Sequence, residues 1–177
     1  MLRYFTLLLV LLSPFSFSDD NTYRLGAGDM ISISVYDEPD LSLEVRIGLS
    51  GTITYPLLGD VAVDGLSPKE FETKLVDKLK GPYLIDPSVS VSIVEYRPFY
   101  VTGEVEKPGS YAFQPGLTID RAVSIAGGFT DRGSKNRVYV VRDRSDPNSS
   151  VSIRKEKMEL LDIVKPGDVI TVEQGFF

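Results

Sequence analysis

The chain has 177 residues, 19 basic against 25 acidic side chains, a net charge of −6 at neutral pH, and neither cysteine nor histidine. The acidic balance argues against a nucleic-acid binder, a polybasic membrane-surface protein and simple electrostatic capture of an acidic glycan. The missing residue types exclude disulfides, thiol nucleophiles, Cys/His metal sites and every histidine-dependent triad, while 42% hydrophobic and 10% aromatic content is enough to bury a core.

At the N-terminus, Arg3, the apolar run Tyr4 to Leu12, Pro14 and the small-x-small Ser16-Phe17-Ser18 follow the order of a secretory signal peptide, with cleavage expected between Ser18 and Asp19. The apolar run falls short of the roughly 20 residues a spanning helix needs; an uncleaved anchor is the alternative. With no cysteine there is no lipobox.

Tyr23-Arg24-Leu25-Gly26-Ala27-Gly28-Asp29 is a glycine-rich turn that feeds Met30 to Tyr36, a strand of strict alternation whose buried face is Met30 (or Ile31), Ile33 and Val35. Further strands are expected at Glu44 to Ile47, Thr52 to Tyr55 and Asp60 to Val63, punctuated by Gly48, Gly51, Gly59 and Gly65. Ser67-Pro68-Lys69-Glu70 is a capping box with proline at the first helical position, and Phe71, Leu75, Val76 and Leu79 make an apolar stripe up to Gly81-Pro82. Asp86-Pro87 opens a strand from Ser88 to Val94, and Glu95-Tyr96-Arg97 leads into a second lobe.

There, Phe99 to Val105 reads as a strand, Lys107-Pro108-Gly109 as a turn with Gly109 expected at positive φ, and Ser110 to Phe113 as the returning strand. Pro115-Gly116 breaks the chain, Thr118 is placed to cap a helix, and Ile119, Ala122, Val123 and Ala126 fall on one face. Gly127-Gly128 stands where a left-handed C-cap is wanted. Strand signals at Arg137 to Arg142 and Val169 to Val172 complete a small β-grasp lobe, a sheet folded over one helix, with Asp143 to Ser150 as an exposed loop. Val164 to Val172 echoes Leu25 to Val35: a turn glycine, an aspartate, then alternating apolar residues. The fold class expected is α+β, with small mixed sheets and two short helices.

Carboxylates are plentiful, yet Asp37-Glu38, Glu104-Glu106 and Asp120 read as turn or polar-face residues, and glycoside hydrolysis needs two carboxyls at a controlled separation. Gly26-x-Gly28 has neither the third glycine nor the lysine of a phosphate loop, so it reads as a turn in which Asp29 accepts backbone N–H groups. No catalytic, cofactor or metal residue is assigned. Tyr23, Tyr96, Phe99 and Tyr100 read as exposed aromatics that either stack on sugar rings or pack between lobes or subunits; Arg97 beside them is open to a glycan hydroxyl or an intersubunit carboxylate.

The Tyr23–Asp29 motif, the junction DPSVSVSIVEYR, and YVTGEVEKPGSY followed by LTIDRAVSIAGGF resemble the bacterial polysaccharide export family of Wza-type proteins. The family usually carries Asp-Gly where Ser50-Gly51 stands here, with Pro56-Leu57 and Gly59 following as expected. The resemblance implies a polysaccharide-export N-terminal domain over 19–96 and an SLBB β-grasp domain over 97–177. Tyr23, Arg24, Leu25, Gly26, Gly28, Asp29, Gly103, Pro108, Gly109, Gly127 and Gly128 are then structural motif residues. It further implies a periplasmic, envelope-associated protein of capsule or exopolysaccharide export, a homo-oligomeric ring, and an inner-membrane co-polymerase partner that often carries a tyrosine kinase. Longer members add further β-grasp repeats and an amphipathic pore-forming helix that this sequence lacks, so a separate outer-membrane β-barrel is expected. Such a conduit makes no bonds and needs no cofactor. The alternatives are a periplasmic glycan-binding or regulatory module docking on the co-polymerase and, third, an enzyme trimming the polymer.

Overall fold

The computed structural model describes residues 23–142 and 154–175; Ser18, Asp19 and the rest of the expected signal peptide, and the loop expected at 143–150, lie outside the described residues. In the first lobe, β1 (Met30–Val35) carries Ile31, Ile33 and Val35 inward, so Ile31 and not Met30 opens the buried face. Two antiparallel neighbours, β2 (Leu43–Arg46) and β5 (Val89–Glu95), flank it in the order β2-β1-β5. A short 3-10 turn at Pro39–Leu41 joins β1 to β2. The strands β3 (Thr52–Tyr55) and β4 (Gly59–Ala62) form a separate hairpin.

Helix α1 (Pro68–Leu79) closes this lobe, burying Phe71, Leu75 and Leu79 at the expected spacing. Burial of each such side chain contributes about 1.5–3 kcal/mol. Its start is held as the sequence predicts: Ser67 Oγ accepts from the Glu70 N–H at 3.1 Å, and Glu70 Oε2 accepts from the Ser67 N–H at 2.8 Å. From the next turn, Glu72 Oε1 accepts the outward N–H of Val91 on β5 at 3.0 Å, a side chain covering a sheet edge.

The second lobe holds β6 (Phe99–Gly103), β7 (Gly109–Tyr111), helix α2 (Ile119–Ile125), β8 (Gly133–Arg142), β9 (Arg154–Met158) and β10 (Val169–Gln174). Its five-stranded sheet has the order β7-β6-β10-β8-β9, with β6 and β10 parallel and every other pair antiparallel. Phe99, Val101, Val138, Val140, Ile170 and Val172 from the sheet and Ile119, Ala122 and Val123 from α2 form a second core.

Two local expectations need correction, and one strand has no signal in the sequence. Gly109 does not take positive φ; it begins β7 opposite Val101, and Gly103 takes φ +85° instead. A Cβ on Gly103 would stand 2.1 Å from the Val172 carbonyl oxygen, so the strand can bend there only with glycine. Thr118 sits at the N-cap of α2 with extended backbone, yet its side chain makes no capping hydrogen bond. The first turn is tied from outside, where the Ile119 and Asp120 N–H groups donate to the carbonyls of Asp162 and Leu160. Finally, β9 was not anticipated, because Arg-Lys-Glu-Lys-Met shows no apolar alternation; it is an edge strand, recruited by pairing with β8.

Candidate functional site at the joint between the lobes

The turn before β1 makes two bonds across its own mouth. The Asp29 N–H donates to the Gly26 carbonyl at 3.1 Å, and the Gly26 N–H donates to Asp29 Oδ2 at 2.9 Å. Gly28, third in the turn, lies at φ +96°, as a type II turn requires. The turn before β10 repeats the device: Asp168 N–H to Lys165 carbonyl at 3.1 Å, Lys165 N–H to Asp168 Oδ2 at 2.8 Å, and Gly167 at φ +86°. The echo seen in the sequence is therefore a repeated piece of geometry.

Each aspartate is buried, and each holds an arginine. Asp29, 0% exposed, accepts from Tyr23 Oη at 2.6 Å, from the Arg97 N–H at 2.7 Å and from Arg97 Nη1 at 3.1 Å, besides its own turn. The expected role of Asp29 as an acceptor of backbone N–H groups thus holds, and the carboxylate reaches across to the second lobe as well. Asp168 takes the fork of Arg142, Nε to Oδ1 at 2.8 Å and Nη2 to Oδ2 at 2.9 Å. Hydrogen bonding to Asp168 holds the Arg142 guanidinium above its ordinary value. Burial, then the hydrogen bond to Asp29, pushes the Tyr23 hydroxyl well above the ordinary phenol range.

Arg97 runs between the two turns. A Cβ on Gly26 would come within 2.5 Å of its Nη1, one on Gly28 within 3.3 Å of its Cβ, and one on Gly167 within 3.1 Å of its Nε. The motif glycines make room for this side chain. Beside it the Gly167 N–H donates to the Pro98 carbonyl at 3.1 Å, and Tyr96 meets Tyr23 on one side and Phe113 on the other, edge to face, at 5.0 and 5.4 Å. The guanidinium also lies 5.7 Å from the Tyr23 ring centre. Polar clamp and aromatic ladder join first lobe, linker and second lobe in one place.

The remaining sequence candidates scatter. Leu25 is core, and Arg24 pairs with Glu70 on the surface. Phe99 is a correction: at 0% exposure it belongs to the second core and is not the exposed aromatic the sequence suggested. Tyr100, next along the strand, faces outward. Pro108 and Gly109 lie in the exposed turn into β7, whereas Gly127 and Gly128 form the left-handed cap of α2, their N–H groups on the Ser124 and Val123 carbonyls. Glu104 is bound by Thr130 and Arg132. Among the described residues, no three metal-ligating side chains converge. Sequence reasoning missed the Asp168–Arg142 clamp; the Gly167-Asp168 echo was the signal for its acid, and nothing local marked the arginine 26 residues earlier.

Two sequence families match in tandem: one described as polysaccharide biosynthesis/export protein over residues 18–94, the other as SLBB domain over residues 98–154. The chain is 33% identical over 152 residues to the exopolysaccharide production protein ExoF of Rhizobium meliloti, covering 78% of this chain and 36% of that protein. It is 26% identical to the EPS I polysaccharide export outer membrane protein EpsA of Ralstonia nicotianae, covering 86% and 47% of the two chains. Against the polysialic acid transport protein KpsD of Escherichia coli the identity is 30%, over 68% of this chain and 22% of that one. The chain thus spans less than half the length of these relatives.

Proposed function

The chain belongs to the polysaccharide biosynthesis/export protein family, and on that premise we propose that it is a non-enzymatic subunit of a conduit carrying capsular or exopolysaccharide across the periplasm. In this reading residues 1–18 are the secretory signal, 19–96 the export domain and 97–177 the SLBB domain. Copies assemble by a head-to-tail interface into a closed homo-oligomeric ring. The ring works with an inner-membrane co-polymerase, one that often carries a tyrosine kinase, and hands polymer to a separate outer-membrane β-barrel. In this reading bilayer passage belongs to that partner; no helix among the described residues is long and apolar enough to cross a membrane. Of the four aromatics singled out in the sequence, Tyr100 is the exposed one and Tyr23 and Tyr96 are half-buried; Tyr100 is assigned to meet sugar or a neighbouring subunit.

The observation that carries this reading is the pairing of the two domains in order, in a chain whose relatives are polysaccharide export and transport proteins. It is supported by a joint that fixes one lobe against the other, as a ring wall requires. The test is an in-frame deletion in the encoding bacterium, complemented with the wild-type gene, with surface and periplasmic polymer measured together. Export predicts loss at the surface with polymer retained inside; unchanged surface polymer in a producing strain without a paralogue refutes it. Mass photometry of residues 19–177 adds the oligomer: discrete multi-subunit species fit a ring, and a monomer under all conditions favours the glycan-binding module.

A further inference from the structure

The first lobe has two poles. Asp29 and the joint stand at one, and β1 leaves that end for Val35, while β5 returns from Val89, opposite Val35, to Glu95, opposite Met30. Helix α1 starts near the joint, where the Leu25 N–H donates to the Leu66 carbonyl, and ends at Leu79 on the far side. The β3–β4 turn at 56–58 belongs to the far side too: Tyr55 Oη at the end of β3 donates to the Leu41 carbonyl, and Tyr83 Oη just past α1 donates to the Leu57 carbonyl. The Tyr36 N–H donates to the Ser88 carbonyl, tying the end of β1 to the 81–88 loop.

That far pole is where this lobe leaves apolar side chains uncovered. Ile85 is 93% exposed, Tyr36 82%, Leu57 57% and Tyr83 46%; the two other exposed large apolar residues of the lobe, Leu49 and Val94, lie singly toward the joint. None of the four supports the core. Leu57 is held at φ +66°, a left-handed backbone that disfavours a branched L side chain and that asparagine or glycine would adopt freely. Leu57 is not among the side chains packed on the first core.

The border of the patch identifies what it fits. Asp37, Glu38 and Asp40 follow Tyr36 in the chain, Asp60 lies at the start of β4 beside the 56–58 turn, and Asp77 lies in the last turn of α1; Lys78 stands against them, while Asp86 and Lys80 pair with each other at 3.3 Å. An anionic bilayer is repelled by such a rim, and two copies meeting pole to pole would set like charges against each other; a head-to-tail contact with another face of a second copy is an outcome the test below separates. We propose that this distal pole is the docking site for a different protein, one whose contact surface has an apolar centre bordered by lysine and arginine. This inference does not depend on the export reading, since its test follows binding and not polymer.

The test places a photo-crosslinking phenylalanine analogue at Ile85 in the full-length chain in the encoding bacterium, with the exposed Ser110 of the second lobe as control. The expected result is one other protein joined at position 85 and not at 110, through a peptide combining apolar residues with flanking lysine or arginine. With that partner purified, Tyr36→Ser and Ile85→Ser should each weaken binding about tenfold, and Asp37→Lys with Asp40→Lys should weaken it and flatten its salt dependence. Leu57→Asn separates docking from folding: it should weaken binding while leaving the thermal midpoint equal or higher. The proposal is overturned by adducts only to a second copy or to lipid, by no adduct at 85, by flotation of the wild-type chain with phosphatidylglycerol vesicles, or by full binding in the substituted chains.

Discussion

A single carboxylate does much of the organising in this chain. Asp29 closes its own turn, accepts a phenol and pins the arginine that links the lobes, so its cost of burial is met by four hydrogen bonds. Tyr23 records that environment in its titration. Its folded value is raised above the unfolded value of 10.0 by burial and by the Asp29 hydrogen bond. The stability attached to its neutral form is therefore fully present below about pH 10 and is lost as pH rises from there toward the folded value. Tyr23→Phe, which has no proton to lose, should remove this part of the alkaline fall in stability. Thermal midpoints of the two chains from pH 8 to 11 check it, and parallel curves would show that Tyr23 contributes nothing there.

At the scale of an element, the two helices contrast in how their starts are held. Helix α1 carries both halves of a capping box in its own sequence, so Ser67→Ala should cost about 1 kcal/mol. Helix α2 has a threonine in the same position with no side-chain bond, so Thr118→Ala should cost a few tenths of a kcal/mol at most. Urea unfolding of both variants against the parent tests the pair, and equal losses would contradict the assignment. The contrast marks a limit of legibility. Ser67 to Glu70 is a local device that can be read residue by residue, whereas the α2 start depends on carbonyls some 40 residues later in the chain, which no local pattern announces. The same reasoning covers β9, whose strand identity comes from β8.

For the whole molecule, the consequence of the joint is a fixed angle between two cores. Arg97 lies against glycines of both lobes and bonds a buried acid. Arg97→Ala leaves Asp29 without its charge partner at a cost on the order of 3 kcal/mol, and it opens space between the two turns. Because the chain has no cysteine, spin labels can be introduced cleanly at Ser90→Cys and Ser110→Cys, both exposed and one in each lobe. The parent should give one narrow distance distribution and Arg97→Ala a broad one; an unchanged narrow distribution would mean that the aromatic ladder alone sets the angle.

Much of this protein is determined by its sequence alone. Alternation defined β1 and β5, helical spacing selected Phe71, Leu75 and Leu79 and then Ile119, Ala122 and Val123, and the Gly-x-Gly-Asp turn with its echo before β10 was visible in the residues themselves. These are short-range signals, in which each residue answers to neighbours within a few positions. What only the tertiary structure decided is where long-range partners fall: Phe99 inside and Tyr100 outside, Arg97 turned inward onto Asp29 68 residues away, Arg142 onto Asp168, and four apolar side chains left together at one pole. The reason is physical. A strand's period says which residues share a face, but which face is buried, and which acid an arginine finds, depends on elements that meet only when the chain closes on itself.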